Sequence, residues 1–427
     1  MSKLFKIIGA VAIINIVARL FGFGREMVIG FQYGTSKVAD AIATAYTIPN
    51  FIYLVLGGAL TTAFISVYHS SKMDKELYVR KAFTTVVLSA VLITGLILLL
   101  TDPILHLFFK DLSEEDYALT KKLFFWMMPS SILLVMSTWM SGLLNINDRF
   151  QMSSLAILLY NAAFVIIGVL LTGWIGPQSY GAGAMISAVL MALFLYWGIK
   201  RADLSSLKPS FGMTPDIKKL WWLALPILFG GASLQFYFII HRFAAGGLGE
   251  GAISSVNYAS KLASFPQAIL MTAVTTVIYP MLAKKEGEGD TQTIKMLYKK
   301  GMLYMVTLLV PASAFCYFFA EPLVRLIFGY RNFGEEDIML VVPVFKIFAI
   351  SMFFLAANTY VTRFYYAKGN SIMPIIFSLI SVFGINIAII FAFVDQLGTQ
   401  AIAYGTVISA AVNFALLAGY ARFKWKL

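Results

Sequence analysis

The sequence predicts an all-α polytopic membrane protein of about 12 transmembrane helices, in two six-helix lobes related by a parallel pseudo-two-fold repeat. Three observations carry this expectation. Of 427 residues, 59% are hydrophobic and only 13% are charged, against roughly one-quarter charged in soluble domains. Mean hydropathy is +0.81, and the apolar residues fall in runs of about 20 between short polar breaks, the length that crosses a bilayer. The chain also matches itself at a nearly constant offset. No break is long enough to fold alone, which excludes a soluble catalytic domain.

The helices are expected to begin near residues 5, 37, 82, 118, 153, 180, 220, 252, 298, 337, 371 and 400. Lys3 and Lys6 precede the first run as in a signal peptide, but that run carries Arg19, Arg25 and Glu26 and leads to no small-residue cleavage site. Residues 1–32 are therefore read as the first membrane helix. With the N-terminus inside, 22 of the 33 Lys and Arg fall in cytoplasmic segments, so the positive-inside rule places both termini in the cytoplasm. The net charge of +12 is mostly this fringe beside anionic lipid, and no nucleic-acid partner is expected. A single cysteine, Cys316, excludes an intramolecular disulfide. His69, His106 and His241 lie apart from cysteines and carboxylate clusters, so neither a metal nor a cofactor is expected.

At an offset of 217, Arg25, Gly30, Gly34 and Pro49 fall on Arg242, Gly247, Gly251 and Pro266, while Asp40 meets Asn257. Further on, Asp102-Pro103-Ile104-Leu105-His106-Leu107 matches Glu321-Pro322-Leu323-Val324-Arg325-Leu326, and Glu114-Glu115-Asp116 matches Glu335-Glu336-Asp337. The matches fall on Arg, Pro and acidic positions, where chance similarity of apolar helices would not concentrate. Six helices per half make both halves enter from the same side, so the repeat axis runs along the membrane normal. The expected lobes are residues 1–210 and 211–427.

An ionisable group at the bilayer centre costs about 2.5 to 3.5 kcal/mol on insertion scales and so normally faces a cavity or a partner. The first helix carries Arg19, Arg25 and Glu26, the second begins with Asp40, the seventh carries His241 and Arg242, and the eighth carries Lys261. Arg19, Arg25, Arg242 and Lys261 outnumber Glu26 and Asp40, which favours an anionic substrate bound by those four cations. Arg19 and Glu26, seven residues apart, share a helical face and could hold a salt bridge there while Arg25 is presented on another. Depth along the helices puts Arg25, Glu26, Asp40, Arg242 and Lys261 near the outer side. The acidic pair Glu26 and Asp40 is then expected to gate the outer mouth against the basic pair Arg242 and Lys261. Lobe-packing ion pairs and snorkelling remain the plainer reading of the same charges. Gly22 and Gly24, and Pro49 with Gly57-Gly58, mark points of either bending or close helix packing.

Ala18-Arg19-Leu20-Phe21-Gly22-Phe23-Gly24-Arg25-Glu26, Ala39-Asp40-Ala41 and Ile48-Pro49-Asn50 resemble the start of the MurJ/MviN-type lipid II flippases of the multidrug/oligosaccharidyl-lipid/polysaccharide exporter superfamily. The resemblance continues through Asp148-Arg149-Phe150, Tyr160-Asn161, Phe265-Pro266, the stretch from Ala320 to Gly329, and Arg363-Phe364-Tyr365-Tyr366-Ala367-Lys368-Gly369. It implies export of a polyprenyl-diphosphate-linked peptidoglycan precursor to the outer leaflet of the bacterial cytoplasmic membrane by alternating access, without catalysis. It implies functional positions at Arg19, Arg25 and Asp40, with Lys261 where the family has an arginine. Tyr53-Leu54 replaces an expected basic pair, Gly57 an expected acidic residue and Ser260 another. Two further helices usual in the family lie beyond the twelve. The implied partners are an anionic lipid-linked glycan precursor, membrane lipids and cell-wall synthesis proteins, with a monomeric state. The competing readings are a flippase for another lipid-linked oligosaccharide, a drug antiporter of the same superfamily, a membrane-embedded glycan polymerase and a scaffold.

Overall fold

A lipid environment offers the backbone no hydrogen-bond partners, so a chain this apolar must satisfy its amides within helices. The computed structural model, which describes residues 3–108 and 113–426, is helical throughout its regular structure. In chain order the helices are α1 (Lys3–Tyr33), α2 (Lys37–Ile52), α3 (Gly58–Ser70), α4 (Lys75–Leu99), α5 (Thr101–Phe108), α6 (Glu114–Met127), α7 (Ser130–Ile146), α8 (Phe150–Ile175) and α9 (Gln178–Arg201). They continue with α10 (Pro215–Ala245), α11 (Ala252–Gly287), α12 (Thr291–Phe318), α13 (Ala320–Phe328), α14 (Glu335–Ala367), α15 (Ile372–Leu379), α16 (Ile387–Leu397) and α17 (Thr399–Trp425).

Several of these join into one crossing: α2 with α3, α6 with α7, and α15 with α16. Twelve long segments result among the described residues, and nine meet both the length and the apolarity needed to span. Helices α1, α10 and α11 are 31, 31 and 36 residues long, and together with the start of α2 they carry the ionisable residues singled out above. The largest departures from the expected starts are seven residues, at 75 rather than 82 and 291 rather than 298. In both, the helix extends through a polar turn capped by an aspartate. Asp74 accepts from Leu77 N at 2.9 Å, and Asp290 accepts from Thr293 N at 3.0 Å.

The chain forms two compact units, one of residues 1–28 and 41–235 and the other of 29–40 and 236–427. The boundary expected near residue 210 lies in the irregular segment before α10, whereas the change of unit comes within α10. The end of α1, the following turn and the start of α2 belong to the second unit.

The first unit is centred on Phe64, Tyr78 and Trp139, all fully buried, with Phe64 stacked on Tyr78 at 5.6 Å and 4.6 Å from Trp139. This joins α3, α4 and α7. In the second unit, Tyr360, Phe364 and Tyr365 of α14 pack with Met305 of α12 and Leu417 of α17. The Tyr360 hydroxyl donates to Leu297 O at 2.7 Å, and α12 approaches so closely that a Cβ on Gly301 would lie 1.8 Å from that hydroxyl.

The two bending expectations resolve differently. Helix α1 runs through Gly22 and Gly24 without a break. Between α2 and α3, four residues after Pro49, the chain widens into a π-helical turn over Tyr53–Gly57. Close packing acts there too, since a Cβ on Gly57 would sit 3.3 Å from the Thr138 side chain of α7.

Candidate functional site

Arg25 stands 23 positions into α1 with its side chain largely buried. Its Nη2 donates to Glu26 Oε1 at 2.7 Å and its Nε to the same oxygen at 3.3 Å. The guanidinium lies 4.4 Å from the Tyr46 ring centroid and 5.0 Å from that of Phe164, so aromatic faces of α2 and α8 flank it. Tyr46 and Tyr160 share a hydroxyl hydrogen bond at 3.2 Å, and Phe164 meets both rings edge-on. One turn below, Asn161 Nδ2 donates to Ala18 O at 3.1 Å and ties α8 to α1. The result is a desolvated cation with an anionic partner, held among ring faces whose quadrupoles favour positive charge.

The expected Arg19–Glu26 bridge does not form. Arg19 is exposed and makes no hydrogen bond or ion pair among the described residues, while Glu26 turns to its neighbour. Arg25 is pinned beside Glu26 by the rings of Tyr46 and Phe164, and adjacent side chains of this length meet without spanning two helical turns.

In the second unit, the segment 29–40 is fastened by backbone and carboxylate bonds. Asp40 Oδ2 accepts from Gly251 N at 2.9 Å and Oδ1 from Ser254 N at 2.6 Å. Those are two of the orphan amides at the start of α11, so Asp40 of α2 caps another helix. Asp337, in the first turn of α14, does the reverse: its Oδ1 accepts from Thr35 N at 2.6 Å and from Thr35 Oγ1 at 2.5 Å, while Oδ2 accepts from Gly334 N at 2.6 Å. The Tyr258 hydroxyl donates to Gly34 O at 3.0 Å, and Asn332 N and Nδ2 donate to Phe31 O and Gln32 O at 3.2 and 2.6 Å. Gly251 has φ +80, and a Cβ there would come 2.4 Å from Thr35 O.

Arg242 of α10 donates through Nη2 to Asn257 Oδ1 of α11 at 3.0 Å, and its charge also acts on Asp40. Lys261 lies 4.7 Å from the Phe238 ring centroid. Asp40 bonds to backbone amides of α11 and lies within the field of Arg242. The internal repeat is thus used asymmetrically: Arg242 bonds Asn257, the counterpart of Asp40, whereas Arg25 bonds Glu26 and leaves Asp40 to α11. Nothing in the sequence singles out Tyr46, Phe164 or Thr35. Tyr160-Asn161 and Glu335-Glu336-Asp337 had been noted only as motifs, and these are the signals that lead to two of the contacts.

Chemically, the first unit offers a guanidinium whose Nε and Nη2 share one carboxylate oxygen, an acceptor that phosphate oxygens can replace. Around the described site no nucleophile–base pair is assembled.

The family model described as "Lipid II flippase MurJ" matches residues 32–427. The chain is 27% identical over 426 residues to a probable lipid II flippase MurJ of Rhizobium meliloti (strain 1021), covering 96% of this chain and 78% of that protein. It is 26% identical over 434 residues to a lipid II flippase MurJ of Burkholderia cenocepacia, covering 97% and 83%. Among solved structures, a lipid II flippase MurJ in an inward closed conformation superposes with a TM-score of 0.84 at 22% identity, covering 98% and 87%. An inward-facing multidrug resistance MATE family transporter of the MOP superfamily superposes with a TM-score of 0.79 at 13% identity, covering 97% and 98%. Both likenesses extend over nearly the whole of this chain and show its fold.

Proposed function

The chain belongs to the lipid II flippase MurJ family, and from that premise we propose that it exports lipid II, a polyprenyl-diphosphate-linked peptidoglycan precursor, from the inner to the outer leaflet by alternating access. It acts as a transporter and not an enzyme, in the bacterial cytoplasmic membrane, as a monomer with both termini in the cytoplasm. Cell-wall synthesis proteins are its expected neighbours.

The observation that carries this reading is the buried Arg25, held by Glu26 between Tyr46 and Phe164. A diphosphate supplies two charges and several acceptor oxygens, and guanidinium binds such oxygens in pairs. Arg19, Arg242 and Lys261 complete the cationic set in this proposal, and Glu26 and Asp40 act as the gating carboxylates. The Glu26 carboxylate keeps Arg25 neutralised until a phosphate takes its place, which spares an unpaired buried charge. Asp40 releases the amides of Gly251 and Ser254 when the segment 29–40 moves.

Moving two negative charges outward across an inside-negative membrane gains about 4.6 kcal/mol per 100 mV if the cavity charge stays behind, so the membrane potential suffices as a driving force. Depletion in growing cells tests the function: lipid II accumulates in the inner leaflet if the protein flips it, whereas normal leaflet distribution with short glycan chains would point to a polymerase.

A further inference from the structure

Outside the transport machinery, the first unit has a cavity of about 700 Å³ at the end where α3 and α9 finish and α4 begins. The irregular segment after α9 forms one wall. We propose that this cavity is a resident-lipid site that takes the phosphoethanolamine headgroup of a membrane phospholipid.

The charges in the cavity carry the inference. Lys75, Lys200, Lys208, Glu76 and Asp203 all line it. Lys75 is already used, its ammonium donating to Tyr68 O and, at 3.2 Å, to Ser71 O at the end of α3. The side chains of the other four make no hydrogen bond or ion pair among the described residues. Two ammonium groups and two carboxylates thus face one space without pairing. An anionic headgroup would satisfy the lysines and face the carboxylates; a choline headgroup has no N–H to donate. A phosphate joined to a primary amine satisfies both signs at once.

The seat is held in place by the protein itself. Arg80 Nε donates to Lys208 O at 3.2 Å, Ser210 N donates to Thr84 Oγ1 at 2.8 Å, and Lys81 Nζ bonds Phe211 O. A fixed wall lowers the ordering cost of binding. The rim fits a lipid rather than a soluble metabolite. On the last turns of α9, Leu193, Tyr196 and Trp197 are 58%, 49% and 48% exposed, with the Arg201 guanidinium 5.1 Å from the Trp197 ring centroid. Aromatic residues beside cations mark the level of the headgroups, and the exposed apolar surface accommodates acyl chains.

Native mass spectrometry of the full-length protein, titrated with dioleoyl-phosphatidylethanolamine, -phosphatidylglycerol and -phosphatidylcholine, tests the site. The expected result is one phosphatidylethanolamine retained in preference to phosphatidylcholine. The double variants Lys200→Gln/Lys208→Gln and Glu76→Gln/Asp203→Asn should each lower its occupancy about tenfold, the effect of losing one or two charge-assisted hydrogen bonds. Asn tolerates the positive φ of residue 203, and the exposed single changes Lys208→Gln and Glu76→Gln serve where a double variant fails to fold. Equal retention of the ethanolamine and choline lipids, or wild-type retention in the variants, would overturn the proposal. So would tighter binding of phosphatidylglycerol that is indifferent to Glu76→Gln/Asp203→Asn, or displacement by soluble glycerophosphoethanolamine at matching concentration.

Discussion

Asp40 Oδ1 accepts a hydrogen bond from Ser254 N at 2.6 Å, so a carboxylate near the start of α2 caps the N-terminus of α11. The bond is charge-assisted and aligned with the helix dipole, and it links segment 29–40 to the rest of the second unit. Asp40→Asn keeps an acceptor but loses the charge, and Asp40→Ala loses both, at a cost of about 1 kcal/mol for a missing cap. With a cysteine introduced in the transport cavity of a Cys316-free background, outer-side labelling should rise in the order wild type, Asn, Ala. Unchanged labelling in correctly inserted Asp40→Ala would make Asp40 a cap without a gating role.

Asp337 should behave as a second fastening. Its Oδ1 holds both the amide and the hydroxyl of Thr35, so Asp337→Ala removes two bonds to segment 29–40 together with the local bond to Gly334. Thr35→Val removes the hydroxyl bond alone. The labelling assay should show a larger increase for Asp337→Ala than for Thr35→Val. The reverse order would place the effect in the threonine's own surroundings.

Gly251 tests the same fastening through the backbone. At φ +80 an alanine costs about 1 to 2 kcal/mol in left-handed strain alone, and its Cβ would collide with Thr35 O. Gly251→Ala should therefore lower the melting temperature and raise outer-side labelling together. A variant that melts like wild type would contradict the tight approach of these two turns.

Much of this architecture is legible in the sequence because lipid imposes it: each crossing needs a long apolar run, and the polar breaks set the helix starts. The charged residues stand out for the same reason, so Arg25, Asp40 and Arg242 could be selected by cost alone. Their partners could not. Tyr46 and Phe164 look like ordinary core aromatics, and only the packing of α2 and α8 on α1 brings their faces to Arg25. Depth along a helix suggests cations near Asp40, but nothing in a sequence marks the unbonded amides at the start of α11 as its hydrogen-bond partners. The π-helical turn at Tyr53–Gly57 was visible only as Pro49 and two glycines, a pattern shared by bends and by close packing.

Outside the spans, Asp290 gives a pH prediction. The Thr293 hydroxyl and amide, followed by Lys285, hold its carboxyl below the usual aspartate value. A depressed folded value means the cap is fully present above the unfolded pKa of about 3.9 and is lost as pH falls through the folded value. Protection of the first turn of α12 against hydrogen exchange, corrected for intrinsic rates, should drop below about pH 4 in wild type. It should be low and flat with pH in Asp290→Ala. Equal protection in the two proteins at neutral pH would show that the cap is dispensable.

The aromatic surroundings of Arg25 should matter beyond their bulk. Tyr46→Leu removes a ring face from a desolvated guanidinium, worth about 2 kcal/mol, whereas Tyr46→Phe removes only the hydroxyl bond to Tyr160. Transport should fall strongly in the first and modestly in the second. Equal losses would assign the effect to the hydroxyl pair.

Flipping of purified lipid II by the purified protein in liposomes, with the membrane potential set independently of the pH gradient, bears most directly on the role of Arg25. Wild type should transfer lipid II between leaflets faster with the potential than without it, Arg25→Lys should retain part of that rate, and Arg25→Ala should fall to that of empty liposomes while remaining inserted and folded. Wild-type transfer by Arg25→Ala would contradict the account and leave Arg25 as a packing residue.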